Sequence, residues 1–406
     1  MLFTKKRGDI KGSLNYLAWQ KFKRNKFSLG GLLFILLMVA IAISGYLITP
    51  DQSPFANTQL LEIAAKKPGF SCTMLKVRKN VKENNKGLLH TMLMGRNNKY
   101  SYIPINSYHF EKNHLIIEAF NDIEGEEPFY QELNPVDVVF PVAYGTKTVV
   151  KNNQFVFKDI DGNIRNITFD ELKKTIEKNH IETQKFLLGT DRFGRDLLSR
   201  LLIGARISIS VGFISVFISL LIGITLGAVA GYFKGKIDDV IMWLINVIWS
   251  IPTLLMVIAI TLVIGKGFWQ IFIAVGLTMW VEVARVVRGQ VLSVREKEYV
   301  EAARALGFGH TRIIFKHILP NVFSPVIIIS AANFATAILL EAGLSFLGIG
   351  VQPPVPSWGT MIKEHYGYII MDKAYLAILP GLAIMLLVLS FTLVGNGLRD
   401  ALDTRR

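Results

Sequence analysis

The stretch EYVEAARALGFGHTRIIFKHILPN, residues 298–321, separates two long apolar runs and decides how the chain is read. Good helix formers over 295–306 predict a first helix, Gly307 and Gly309 interrupt it, and a second short helix is expected over 311–319. Pro320 discourages a simple continuation into the following apolar run. Ala302, Ala303 and Ala305 keep the first helix narrow, and Gly307 lets the backbone turn without a Cβ clash. The pair of helices presents Glu301 and several basic side chains. Such a surface suits a partner that pushes on membrane helices; a basic loop holding lipid headgroups is the plainer alternative. A DNA-reading helix-turn-helix is disfavoured, because both helices are pinned between apolar runs.

Those runs set the class. The 406 residues are 51% hydrophobic and only 19% charged, with a mean hydropathy of +0.38, too apolar for an ordinary soluble domain and indicative of a polytopic membrane protein. The net charge of +14 sits largely beside the apolar runs, where positive-inside bias and anionic headgroups account for it, so no nucleic acid partner is expected and membrane lipids are. Cys72 is the single cysteine and permits no intrachain disulfide. Seven scattered histidines offer no credible metal-ligand spacing, and no metal site is expected.

Residues 29–48, preceded by KFKRNKF, form an uncharged run long enough to cross a bilayer; the run is longer than an ordinary signal-peptide core and starts far from the N-terminus, so a retained span is expected, with a cleaved signal peptide the alternative. Five further spans are expected at about 207–233, 240–264, 268–287, 322–347 and 375–394. Basic residues concentrate in FKGKIDD, in 285–316 and in the tail RDALDTRR, whereas GKG and VQPPVPSWGT carry few. Positive-inside counting therefore places both termini, and residues 298–321, in the cytoplasm. The expected organisation is a cytoplasmic segment 1–28, a first span 29–48, an external inserted domain 50–186, a core 187–399 with spans 2–6 and the cytoplasmic segment 295–320, and a tail 400–406.

The insertion carries 18 Lys and Arg against 17 Asp and Glu and is too long for a structureless connection, so a small folded α+β domain is expected. Within it, residues 153–179 read as a hairpin turning at Asp161, Gly162 and Asn163, followed by a helix capped by Asp170. A substrate-contacting lid, a passive insertion and a docking surface all remain open for it.

Several residues invite a role in a pathway or gate. Gly223, Gly227 and Gly231 mark one smooth helix face for close packing, within the chain or against a second copy. Pro252 removes a helical hydrogen bond and kinks the third span, as a gate hinge or as an ordinary membrane proline. Asn246, Glu282, Arg285, Asn333 and Glu341 are the polar residues to inspect; Glu282 and Arg285 are spaced to pair on one helix face, and Glu341 suits an anchoring role better than substrate contact. Asp191, Arg195, Asp196, Arg200 and Arg206 alternate in sign, favouring internal ion pairs over recognition of peptide termini. No phosphate loop G-x-x-x-x-G-K-[ST], H-E-x-x-H or G-x-S-x-G occurs, so the chain offers no catalytic residues and is read as no enzyme by itself.

The order Glu301, Ala302, Ala303, Gly307, Leu319, Pro320 resembles the EAA motif of permease subunits in ABC-type importers, most closely the peptide and nickel permease family and its second peptide permease. The passage LGTDRFGRDLLSRLLIGARISISVG, 188–212, is similar to that family's signature before the second span, through Gly189, Thr190, Asp191, Gly194, Arg195, Asp196, Ser199, Arg200, Gly204, Ala205 and Arg206. EAGLSFLGIGVQPPVPSWGTMI, 341–362, with Trp358 and Gly359, resembles the segment closing the fifth span. The resemblance covers about 188–399 and the first span; the family usually has a much shorter external segment where the insertion stands.

It implies an all-α polytopic protein with six transmembrane helices in the type I ABC importer permease arrangement, the α+β insertion lying between helices 1 and 2. It further implies a bacterial plasma membrane location, pairing with a second related permease, two cytoplasmic ABC ATPases and an external substrate-binding protein, and ATP and Mg2+ held by the ATPases. Residues 298–320, around Glu301 and Gly307, would couple ATPase motion to alternating access. Short peptides are the expected substrate, with nickel the alternative; an exporter, a channel, or a membrane scaffold binding a cell-envelope partner are the competing readings.

Overall fold

In the computed structural model, which describes residues 14–82, 87–123, 125–151, 154–265 and 267–403, the apolar runs are helices and the insertion is built on sheets. Lys266, residues 404–406, Asn153 and residues 1–13, on which parts of the topology count and the hairpin reading fell, lie outside the described residues. Two units are distinguished: 43–203 with 367–376, and 1–42 with 204–366 and 377–406. Helices Leu14–Arg24 (α1) and Lys26–Ser44 (α2) open the chain. With Gly45–Leu47, α2 forms the first apolar span, Lys26–Leu47.

The first unit carries β1 (Ser71–Arg78), α3 (Leu88–Met94), β2 (Tyr100–Glu111), β3 (His114–Ala119), β4 (Tyr130–Leu133), α4 (Pro135–Val139), β5 (Val149–Lys151), β6 (Gln154–Lys158), β7 (Ile164–Thr168), α5 (Phe169–Thr175) and β8 (Ile181–Lys185). Its larger sheet is antiparallel in the order β4-β3-β2-β1-β8, and the smaller runs β5-β6-β7. The period-two alternation of a strand sends Leu75, Ile105, Leu115 and Ile117 to one face, against Val138 and Ile176, while Cys72 and Met74 face Leu60, Ile63 and Phe186. The expected hairpin is β6–β7, but α5 is capped by Thr168 and not by Asp170. Thr168 is still extended at φ −82° and ψ 156°, so its hydroxyl accepts from the Glu171 amide, and the Glu171 carboxylate returns a bond to the Thr168 amide.

In the second unit the remaining helices are α6 (Leu197–Phe233, which begins in the first), α7 (Gly235–Trp249), α8 (Thr253–Ile264), α9 (Phe268–Arg295), α10 (Glu298–Ala305), α11 (His310–Ile313), α12 (Leu319–Phe346), α13 (Trp358–His365) and α14 (Tyr375–Leu402, which also begins in the first). Among the described residues, five helical segments are long and apolar enough to span a membrane, or six if α7 and α8 count as one. The expected span over 240–264 is built of two helices, α7 and α8, that meet at 93°, a far sharper bend than the kink expected at Pro252. Pro252 has no amide hydrogen to continue the ladder, and at φ −55°, ψ 125° it leaves the helical region before α8 starts.

The smooth glycine face packs within the chain. A Cβ on Gly223 would stand 2.5 Å from Val283 Cβ, on Gly227 2.5 Å from the Ala284 carbonyl oxygen, and on Gly231 2.8 Å from that of Arg288. The small residues thus let α6 lie against the α9 backbone.

Candidate coupling surface and polar clusters

The segment after α9 is a short helix fastened along one side and bare along the other. Val300 and Ala303 are buried in a cluster with Val287, Val291, Ile313 and Ile318, whereas Tyr299, Glu301, Ala302, Ala305 and Leu306 are exposed. The helical period of α10 produces this division, since 300 and 303, three apart, share a face that 301, 302 and 305 do not. The helix ends in a Schellman turn: the Phe308 amide bonds the Ala303 carbonyl at 3.1 Å and the Gly307 amide bonds that of Arg304 at 2.9 Å. Gly307 occupies the left-handed position the turn requires, at φ +75°, and Phe308 packs back on the cluster that holds Ala303.

Pro320 does not stop the second helix. His310–Phe346 runs as one helical segment through α11, a widened turn at Ile314–Ile318 and α12. Proline in the first turn of α12 needs no amide partner, and the wider turn before it absorbs the ring. Leu319 is buried beside Val322. The expected short helix over 311–319 is thus the start of a membrane helix, and motion of α10 and α11 is connected to α12 by continuous backbone.

A polar collar supports this segment, and the sequence offered little sign of it. Tyr232, at the end of α6, shares a 2.9 Å hydrogen bond with His310 Nδ1, while Arg295 Nη1 donates to the Tyr232 carbonyl at 2.6 Å. The guanidinium of Arg304 lies 5.4 Å from the Tyr232 ring and that of Arg312 3.9 Å from the Phe308 ring. Lys234 bonds Glu296 at 2.7 Å and holds that carboxyl below its ordinary range. Arg288 grips Asp238 with two bonds of 2.5 and 2.6 Å, tying α9 to α7. Only the position of Tyr232, directly after the Gly231 contact, could have flagged it beforehand.

The other polar residues fall into separate places. Arg285 does not pair with Glu282, which is exposed; it donates to Asn246 Oδ1 at 2.8 Å and lies 3.7 Å from the centre of the Trp249 ring. The tertiary approach of α7 to α9 supplies an amide acceptor and an aromatic face that spacing along one helix cannot reveal. Asn333 and Glu341 are buried on α12; Glu341 accepts from Ser345 at 2.7 Å.

In the first unit, 189–200 form a buried knot. Asp191 Oδ1 accepts from the Phe193 and Arg195 amides, and Oδ2 from Arg195 Nε at 2.6 Å, with Arg200 Nε at 3.6 Å. Arg195 also reaches Asn57, and Asp196 accepts from Ser199. Burial pushes the Asp196 carboxyl above its ordinary range. Thr190 bonds the Ile63 carbonyl and receives the Lys66 amide. Gly189 and Gly194 both have positive φ and stand where a Cβ would strike the backbone of Lys66 and Leu60. In the second unit Arg206 donates to the Ala42 carbonyl, and Trp358 fills the space left by Gly204.

A core of long apolar helices carrying a short helix, α10, fastened along one side and exposed along the other fits a subunit of a membrane transport system. Residues 223–406 match the family model of the binding-protein-dependent transport system inner membrane component, and 13–66 match the N-terminal transmembrane domain of oligopeptide transport permease C. The glutathione transport system permease protein GsiD of Pectobacterium atrosepticum is 41% identical over 54% of this chain and 72% of its own length. The di/tripeptide transport system permease protein DppC of Pseudomonas aeruginosa is 44% identical over 54% and 73%, and the oligopeptide transport system permease protein OppC of Bacillus subtilis 41% over 53% and 71%. The chain belongs to the permease subunits of ABC-type importers, within the group that includes these peptide permeases. It is a multi-pass inner-membrane protein and is not catalytic by itself.

Proposed function

We propose that this permease imports short peptides, and that α10 is where ATPase partners drive it. The carrying observation is the division of α10: Val300 and Ala303 are locked into a cluster shared by α6, α9 and α12, while Glu301, Ala302 and Ala305 are left bare. Small exposed side chains admit a close-fitting cleft, and a push there acts on three membrane helices through packed contacts. In this reading α10 and both termini face the cytoplasm, two ATPases carrying ATP and Mg2+ engage this chain and a second permease, and an external binding protein delivers the peptide to the opposite side. The relatives' names cover glutathione, di- and tripeptides and oligopeptides, so the substrate class rests on a peptide bond and free termini.

Vesicles containing the whole assembly test the substrate. ATP-dependent uptake of a labelled dipeptide, tripeptide and glutathione is expected, with unlabelled peptide competing and nickel not. Nickel uptake without peptide competition overturns the peptide reading while leaving the permease intact.

A further inference from the structure

The helix α3, LLHTMLM, carries no charge and buries none of its residues. Leu88, Leu89, Leu93 and Met94 are 79, 73, 55 and 64% exposed. Single exposed leucines are ordinary, but a contiguous patch on one short helix marks a surface that something covers. An isolated helix of this length is marginal in water, so its neighbours matter. α3 packs against Gly45–Leu47, the last turn of the span Lys26–Leu47, where Leu47 and Ile48 are themselves exposed.

Its far end is pinned as well. The Arg96 amide donates to the Gln52 carbonyl at 2.7 Å, and Gly95, at φ +79°, fits where a Cβ would stand 2.9 Å from that carbonyl oxygen and 3.1 Å from Pro54 N. The apolar patch is therefore held at the level where a membrane span ends, with exposed Arg96 beside it. We propose that α3 is a lipid-binding element, its leucines and Met94 seated among the headgroups and upper acyl chains of the leaflet in which the first span terminates, and Arg96 reaching the phosphates. The insertion is thereby moored to the bilayer independently of any substrate or partner.

The test uses the full chain in vesicles of phosphatidylcholine and phosphatidylglycerol. Leu89→Cys and Leu93→Cys are labelled with an environment-sensitive fluorophore, with Glu177→Cys, exposed in the same unit, as the aqueous control. Wild-type protein sets the background, since Cys72 is buried. Nitroxide lipids carrying the spin label near the top of the acyl chain are expected to quench the probes at 89 and 93 several-fold more than at 177, with blue-shifted emission. Equal lipid quenching at all three sites overturns the proposal. Protection from aqueous iodide without lipid quenching also overturns it, indicating a protein partner as the cover.

Discussion

Asp191 is buried with three charge-assisted or amide donors converging on it, so its side chain is structural and its neighbours depend on it. Removing one member of such a pair strands the other without water. Arg195→Ala is expected to destabilise the first unit by about 3–5 kcal/mol, seen as earlier protease cleavage in 50–186 and a lower melting temperature. Retained stability would show that the knot is not buried as described. Asp159 is a second test at this scale. Its carboxylate accepts from the amides of Asp161 and Asn163 and from Arg165 Nε, and these bonds hold it below the ordinary 3.8. A lowered carboxyl stabilises the fold above the unfolded value and loses that contribution as pH falls through the folded one. Protection of the Asn163 amide, taken relative to its intrinsic exchange rate at each pH, should therefore be full at neutral pH and be lost only below the ordinary carboxyl value of 3.8; Asp159→Asn should remove the acid-dependent step.

Among the elements, the contact of α6 with α9 leaves no room for side chains at its glycines. Any side chain at Gly227 meets the Ala284 backbone, which cannot rotate away. Gly227→Leu is expected to separate the helices at a cost of at least roughly 1–3 kcal/mol, measured as loss of folded protein after detergent extraction. Gly289, with no atom near its absent Cβ, should accept alanine with little change. The four-residue glycine spacing was legible in the sequence, but its partner was not, because spacing describes one helix and packing involves two. The same limit explains Arg285. Glu282 stood at pairing distance along the helix, yet Asn246 and Trp249 approach from α7 and take the guanidinium. Pro252 was readable as a disruption, but the 93° turn depends on what α7 and α8 each pack against.

At the level of the whole molecule, the membrane core was the more legible half, since apolar length and the Glu301 to Pro320 spacing are local patterns. The insertion was less so. β8, IETQK, has no alternating apolar face, and it pairs with β1 from more than a hundred residues away. Helix capping by Thr168 in place of Asp170 turned on where extended backbone ends, which composition alone does not mark. What unites the core is the path from α10 through Val300 and Ala303 to α6, α9 and α12. The proposal that this path couples ATPase motion to the membrane helices is tested most directly by measuring ATP hydrolysis and peptide uptake together in vesicles of the complete assembly, comparing wild type, Glu301→Arg and the distant Glu177→Arg. Glu301 is exposed, so reversing its charge should leave folding and insertion unchanged. Uptake is expected to fall about tenfold, the equivalent of roughly 1.4 kcal/mol at one contact, with substrate-stimulated hydrolysis falling alongside it and Glu177→Arg behaving as wild type. Full uptake and full stimulation in Glu301→Arg would contradict α10 as the site where ATPase motion enters the membrane helices.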